Sequence, residues 1–225
     1  MKSREAIFAN IKKSLHVASD DRARRETATA RIEQHPRGII PARGQKPDHE
    51  RLEVFRQMVE SAKASIVMLD RKDDVPAAVA AYLRSKNLPQ SIRHGDDERF
   101  SHIPWAKERT LEVTKGASDG AQLASVSYSL AAVAESGTLV MVSGADNPTT
   151  LNFLPDHHLV VVDERDIAGD YESVWDVIRE RFGANEMPRA VNWITGPSRS
   201  GDIEQTHLLG AHGPRSLHVL VVRSS

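Results

Sequence analysis

Apolar positions recur along this chain with helical spacing in some stretches and as short continuous runs in others. After Ser3, which reads as an N-cap, Ile7, Phe8, Ile11 and Leu15 fall on one helical face. From Asp20 to Gln34 the apolar signal fades. Arg22, Arg24, Arg25 and Arg31 offset Asp20, Asp21, Glu26 and Glu33, as in a solvated helix or a mobile segment. Pro36, Gly38, Pro41, Gly44 and Pro47 then mark a linker. The pattern predicts a helical N-terminal appendage with its linker over 1–47, and an α/β domain over 48–225.

Within that domain, helical stripes alternate with strand-like runs. Leu52, Phe55, Val59 and Ala62 form one stripe, and Val75, Val79, Tyr82 and Leu83 another. Strands are predicted at 65–69, weakly at 111–114, and at 138–142, 158–162, 190–194 and 217–222. Asp170 reads as the cap of a helix carrying Tyr171, Val174, Trp175, Ile178 and Phe182 on one face, stopped by Gly183. A short helix is read from Asp202. The small-residue run 128–134 suits either a strand or a helix. This alternation predicts a layered, mostly parallel sheet covered on both faces, with 65–69, 139–142, 158–162, 190–194 and 217–222 together in it.

Composition narrows the function. With 30 basic and 31 acidic residues the formal net charge is −1, which gives no electrostatic case for nucleic acid. There is no cysteine, so thiolate metal sites, cysteine nucleophiles and cysteine-ligated iron–sulfur clusters are excluded in this chain. No stretch approaches ~18 uninterrupted apolar residues, and no secretory signal is visible, so a cytoplasmic protein without a membrane span is expected.

The candidate chemistry lies where strands end. Thr195-Gly196-Pro197-Ser198-Arg199-Ser200-Gly201-Asp202-Ile203-Glu204 follows one predicted strand, and Gly210-Ala211-His212-Gly213-Pro214-Arg215 precedes another. Glycine and proline let the backbone turn sharply, Ser198 and Ser200 supply hydroxyls, and Arg199 supplies a fork suited to carboxylate or phosphate. The same serines and Asp202 could instead cap the following helix. His212 could relay protons, and Arg215 could pair Glu204 or Asp202. Glu135, beside Ser136 and Gly137, could act as a base, a nucleophile or a ligand contact, or could lock a turn. His157 and His158 are adjacent in a strand and face opposite ways, so they do not make a metal site. The expectation is that Glu135, Ser198, Arg199, Asp202, Glu204, His212 and Arg215 converge on one cleft at strand ends.

These motifs, in this order, resemble those of the LUD-domain family: Ala134-Glu135-Ser136-Gly137-Thr138-Leu139-Val140, Leu154-Pro155-Asp156-His157-His158, the 195–204 segment and the 210–215 segment. The resemblance covers roughly 50–225. It implies a Rossmann-like fold related to phosphosugar isomerases and coenzyme A transferases. It also implies a part in oxidising L-lactate to pyruvate beside two partner proteins that carry the iron–sulfur chemistry, with no cofactor in this chain. A small carboxylate or phosphate-bearing ligand would occupy the cleft. In the related coenzyme A transferases a glutamate in a similar setting is the nucleophile, which leaves open a stand-alone enzyme built on Glu135. A ligand-binding module without catalysis is the third reading.

Overall fold

The computed structural model describes residues 2–18, 21–183, 186–199, 210 and 212–223. The chain divides into two units, 1–39 and 40–225. The first contains α1 (Lys2–Ser14) and α2 (Arg22–Gln34). Ser3 lies inside α1 and does not cap it. The apolar stripe of α1 is exposed, and α2 buries no residue. Asp21 caps α2 through its carboxylate, which accepts the Arg24 N–H at 3.0 Å.

The second unit contains, in order, α3 (Asp48–Ser61), β1 (Ser65–Leu69), α4 (Val75–Ser85), β2 (Ser91–His94), β3 (Glu112–Lys115), β4 (Ala124–Tyr128), β5 (Ala131–Val133), β6 (Thr138–Val142), α5 (Thr149–Phe153), β7 (His157–Asp163), β8 (Ile167–Ala168), α6 (Tyr171–Phe182), β9 (Val191–Ile194) and β10 (Ser216–Val222). Residues 42–47, expected with the appendage, belong here: Gly44 is buried and the Gln45 side chain donates to Asp170 at 2.7 Å. Deleting residues 2–39 is therefore expected to leave the cooperative unfolding of 40–225 intact. Extending the deletion through 47 lowers its midpoint, because Asp170 loses a partner. Thermal denaturation of the two truncations checks this.

Six strands form one parallel sheet in the order β1-β10-β7-β4-β2-β3. A second sheet, β8-β5-β6-β9, is largely antiparallel. The prediction of a single sheet is corrected here. The strands at 138–142 and 191–194 leave the parallel sheet because β5 and β6 form a hairpin, and β9 pairs antiparallel on its far side.

The layers follow from strand periodicity. Along β7 and β10, Leu159, Val161, Leu220 and Val222 face α4 and the turns around Phe100, while Val160, Val162, Val219 and Val221 face the second sheet. Leu139 and Met141 of β6 meet them there, with Phe55 and Val59 of α3 in the same cluster. The outer face of the second sheet, Ala131, Val133 and Val140, is covered by Val174 and Ile178 of α6. Asp170 caps that helix, accepting the Ser173 N–H at 2.8 Å, and Gly183 ends it.

Candidate functional site

The loops after β9 and before β10 are stitched together by backbone. Ser198 N–H donates to Pro214 O at 2.8 Å, and Gly210 N–H donates to Ser198 O at 3.1 Å. Between them and α5 lies a cleft of about 260 Å³. Phe153, Trp193, Ile194, Pro197 and Leu217 supply apolar wall, and Ser198, Arg199 and His212 line it nearer the solvent. The cleft sits at the amino ends of β7 and β10, where Leu217 pairs with His158. That is the opposite end from the carboxyl edge where ligands of open parallel sheets usually bind. It is formed by stacking the antiparallel sheet on the parallel one, so two loops from different sheets meet.

Its innermost residues were not among the candidates read from sequence. His158 and Asn152 both line the cleft, and both are essentially fully buried. The Ser127 hydroxyl donates to Asn152 Oδ1 at 3.1 Å and lies 3.0 Å from His158 Nε2. Ser125, two residues earlier on the same face of β4, donates to Leu151 O at 2.6 Å and helps hold α5 in place. Burial pushes His158 down to about 3, so the ring is neutral at physiological pH. His157 faces the other way, toward the Tyr82 hydroxyl at 2.9 Å. The two histidines separate as alternation requires.

The outer residues have structural partners as well. Arg199 Nη2 donates to the carbonyl of Ala62 at the C-terminus of α3, where a cation is favoured. Arg215 lies outside the cleft lining and pairs with Asp156 at 3.5 Å. Ser200, Asp202 and Glu204, with the helix read from Asp202, lie outside the described residues.

Glu135, expected in this cleft, does not line it. The tight β5–β6 turn, closed by Gly137 at φ +69°, directs the glutamate toward Gly44 and the start of α6. Burial pushes its carboxyl up, against the opposing effect of the Tyr171 N–H that it accepts. Its Oε2 is buried without a partner. Thr138 Oγ1 links that turn to the cleft loop through Tyr171 OH at 2.9 Å and Thr195 Oγ1 at 2.7 Å.

A second polar group occupies the carboxyl edge of the parallel sheet. Tyr128 OH donates to Asp163 Oδ1 at 2.9 Å, Lys72 Nζ approaches Asp163 Oδ2 at 3.4 Å, and Arg99 stacks 3.9 Å above the Tyr128 ring. Arg99 is fixed by Asp97 at 2.6 Å and by Ser129 O at 3.0 Å. Burial and the neighbouring Asp163 raise the Tyr128 phenol well above its usual range. This group is not legible in the sequence because its members come from four separate loops and strand ends.

Among the described residues, no helix is long and apolar enough to cross a membrane. A crystal structure of a DUF162 family protein from Deinococcus radiodurans superposes with a TM-score of 0.56 at 24% identity, over 79% of this chain and 99% of that one. It shares the fold. An uncharacterised protein of Neisseria meningitidis is 30% identical over 77% of each chain. Lactate utilization protein C of Geobacillus thermodenitrificans is 31% identical over 56% of this chain and 60% of its own length. Its Bacillus subtilis counterpart is 34% identical over 43% and 41%. The LUD domain itself matches residues 52–222, which take in the ten strands of the described residues and both loops of the cleft, and the chain belongs to that family.

Proposed function

We propose that this protein serves lactate utilisation as an accessory subunit of an L-lactate oxidation system, holding a small carboxylate or phosphate-bearing ligand in the cleft of Ser198, Arg199 and His212. The reading rests on the relatives named lactate utilization protein C. Iron–sulfur partner proteins would carry the electrons, since a chain with no cysteine offers no thiolate to a cluster. The action would be cytoplasmic. A stand-alone transferase built on Glu135 has less support. A nucleophilic carboxylate must be ionised, and burial pushes Glu135 the other way.

Arg199→Ala tests the cleft. Arg199 is exposed and its bond to Ala62 O is a surface contact, so the substitution should cost no more than about 1 kcal/mol, yet abolish growth on lactate in a strain that depends on this protein. Normal growth would remove the loop as a site, and an unfolded variant would make it structural. Affinity purification from lactate-grown cells should bring down iron–sulfur proteins, and their absence would overturn the accessory role.

A further inference from the structure

The two units of the chain differ in charge. Residues 1–39 hold nine basic and five acidic residues, a surplus of four, while 40–225 hold 21 and 26, a deficit of five. The overall net charge of −1 conceals this division. Much of the surplus belongs to α1, whose sequence sets Lys2, Arg4, Lys12 and Lys13 against one acid, Glu5.

The same helix carries an apolar stripe. At 3.6 residues per turn, Ile7, Phe8, Ile11 and Leu15 fall within about 100° of arc. Each is 46–56% exposed. No described residue of 1–39 is buried, so the stripe has no cover within its own unit. A helix of 13 residues is marginal alone in water and gains stability from a surface that takes its apolar face. Phe8 lies one turn from Arg4 and one turn from Lys12, and the Arg4 guanidinium sits 5.5 Å from the centre of its ring. Long basic side chains beside apolar ones suit a boundary between water and hydrocarbon: their stems stay with the apolar layer and their heads reach out to charge.

We propose that α1 is an interfacial anchor, laying Ile7, Phe8, Ile11 and Leu15 into the surface of a bilayer rich in anionic phospholipid, with Arg4, Lys12 and Lys13 at the headgroups. Charge complementarity selects this occupant. A groove in another protein would cover the stripe but leaves the basic surplus without a role. Nucleic acid would take the charge but has no use for four large apolar side chains in a row. Those side chains alone would hold the helix weakly, and the attraction of the basic residues for an anionic surface makes the attachment sufficient and reversible. The proposal is independent of the cleft and of its ligand.

The experiment sediments the full-length protein with vesicles of phosphatidylcholine alone and of equal parts phosphatidylcholine and phosphatidylglycerol, while far-ultraviolet circular dichroism reads helix content. Binding should be at least tenfold tighter to the anionic vesicles, with a rise in helix content, and should weaken as salt is raised from about 0.1 M to about 1 M. The double variant Phe8→Gln/Ile11→Gln keeps every charge. It should lose binding while the thermal midpoint of 40–225 stays unchanged. Lys12→Gln/Lys13→Gln keeps the stripe and should weaken binding about thirtyfold. No sedimentation, or equal sedimentation with the two vesicles, would overturn the proposal. Binding that survives Phe8→Gln/Ile11→Gln would reduce α1 to a general contact for polyanions and would also overturn it. Capture of a protein through the stripe, with no sedimentation on vesicles, would assign α1 to a protein groove instead. None of these readouts involves lactate, so failure of the anchor and failure of the cleft are told apart.

Discussion

Taking the protein from pH 7 to pH 4 is expected to remove roughly 6 kcal/mol of stability through two histidines, a large share of the ~5–15 kcal/mol typical of a domain. Burial pushes His158 down to about 3 and His218 down to about 4. In the unfolded chain both titrate near the ordinary ~6.5. Between the folded and unfolded values the unfolded state binds more protons, so stability is fully present above about 6.5 and declines as the pH falls through that window. Each pH unit costs about 1.4 kcal/mol per histidine until its folded value is reached. Asp97, held below its usual range by Arg99 against the effect of burial, adds to the loss at lower pH. Asp166 and Glu135, pushed up by burial, work in the other direction. Urea denaturation at pH 7, 5.5 and 4 measures the slope. His218→Phe keeps a ring stacked on Tyr82, where the centroids lie 4.4 Å apart, and should flatten about half of it. Stability that stays level from pH 6.5 to 4 would contradict the assignment of both rings as buried and neutral.

Gly196→Ala is expected to destabilise the protein by roughly 2–4 kcal/mol and to displace the cleft loop. Gly196 has φ +72°, and a Cβ there would stand 2.3 Å from the carbonyl oxygen of Ala62. Backbone strain and a backbone clash combine, and neither neighbour is a flexible side-chain end. Gly120→Ala isolates the first effect, since Gly120 has φ +94° with nothing within 4 Å, and it should cost about 1 kcal/mol. Similar losses in the two variants would mean that the contact with α3 is unimportant. Because Arg199 also bonds Ala62 O, the same displacement should reduce ligand affinity in Gly196→Ala and leave it unchanged in Gly120→Ala.

The strands legible in sequence were those dense in branched apolar residues, such as β1, β6, β7 and β10. β4 was hidden because Ser125 and Ser127 interrupt it, and only in three dimensions do their hydroxyls find Leu151 and Asn152. Sheet membership was not legible either. The turn Ala134–Gly137 stands out in the sequence for its glutamate, whereas its decisive property is a glycine that reverses the chain and sends β6 into the second sheet. The cleft loops were found through their glycine and proline punctuation. The cleft floor was missed because a histidine in an apolar strand looks like core until its neighbours across the sheet are known. Beside His157, His158 reads in the sequence only as a metal ligand, and the paired serines on β4 are the signal that points to it.

The position of β10 has a consequence for how the molecule is made. It lies between β1 and β7, paired with both along most of its length, yet it is the latest of the described strands to be synthesised. Until residues 216–222 leave the ribosome, β1 has no partner in its sheet, and β7 presents an open edge of Val160, Val161 and Val162. Such an edge invites pairing with other nascent chains. The central strand closes the sheet across a sequence separation of about 150 residues from β1, which places its docking among the slow, non-local events of folding. Between the synthesis of β7 and that of β10 the nascent chain carries an unfinished apolar seam, a natural target for a chaperone that binds extended apolar segments.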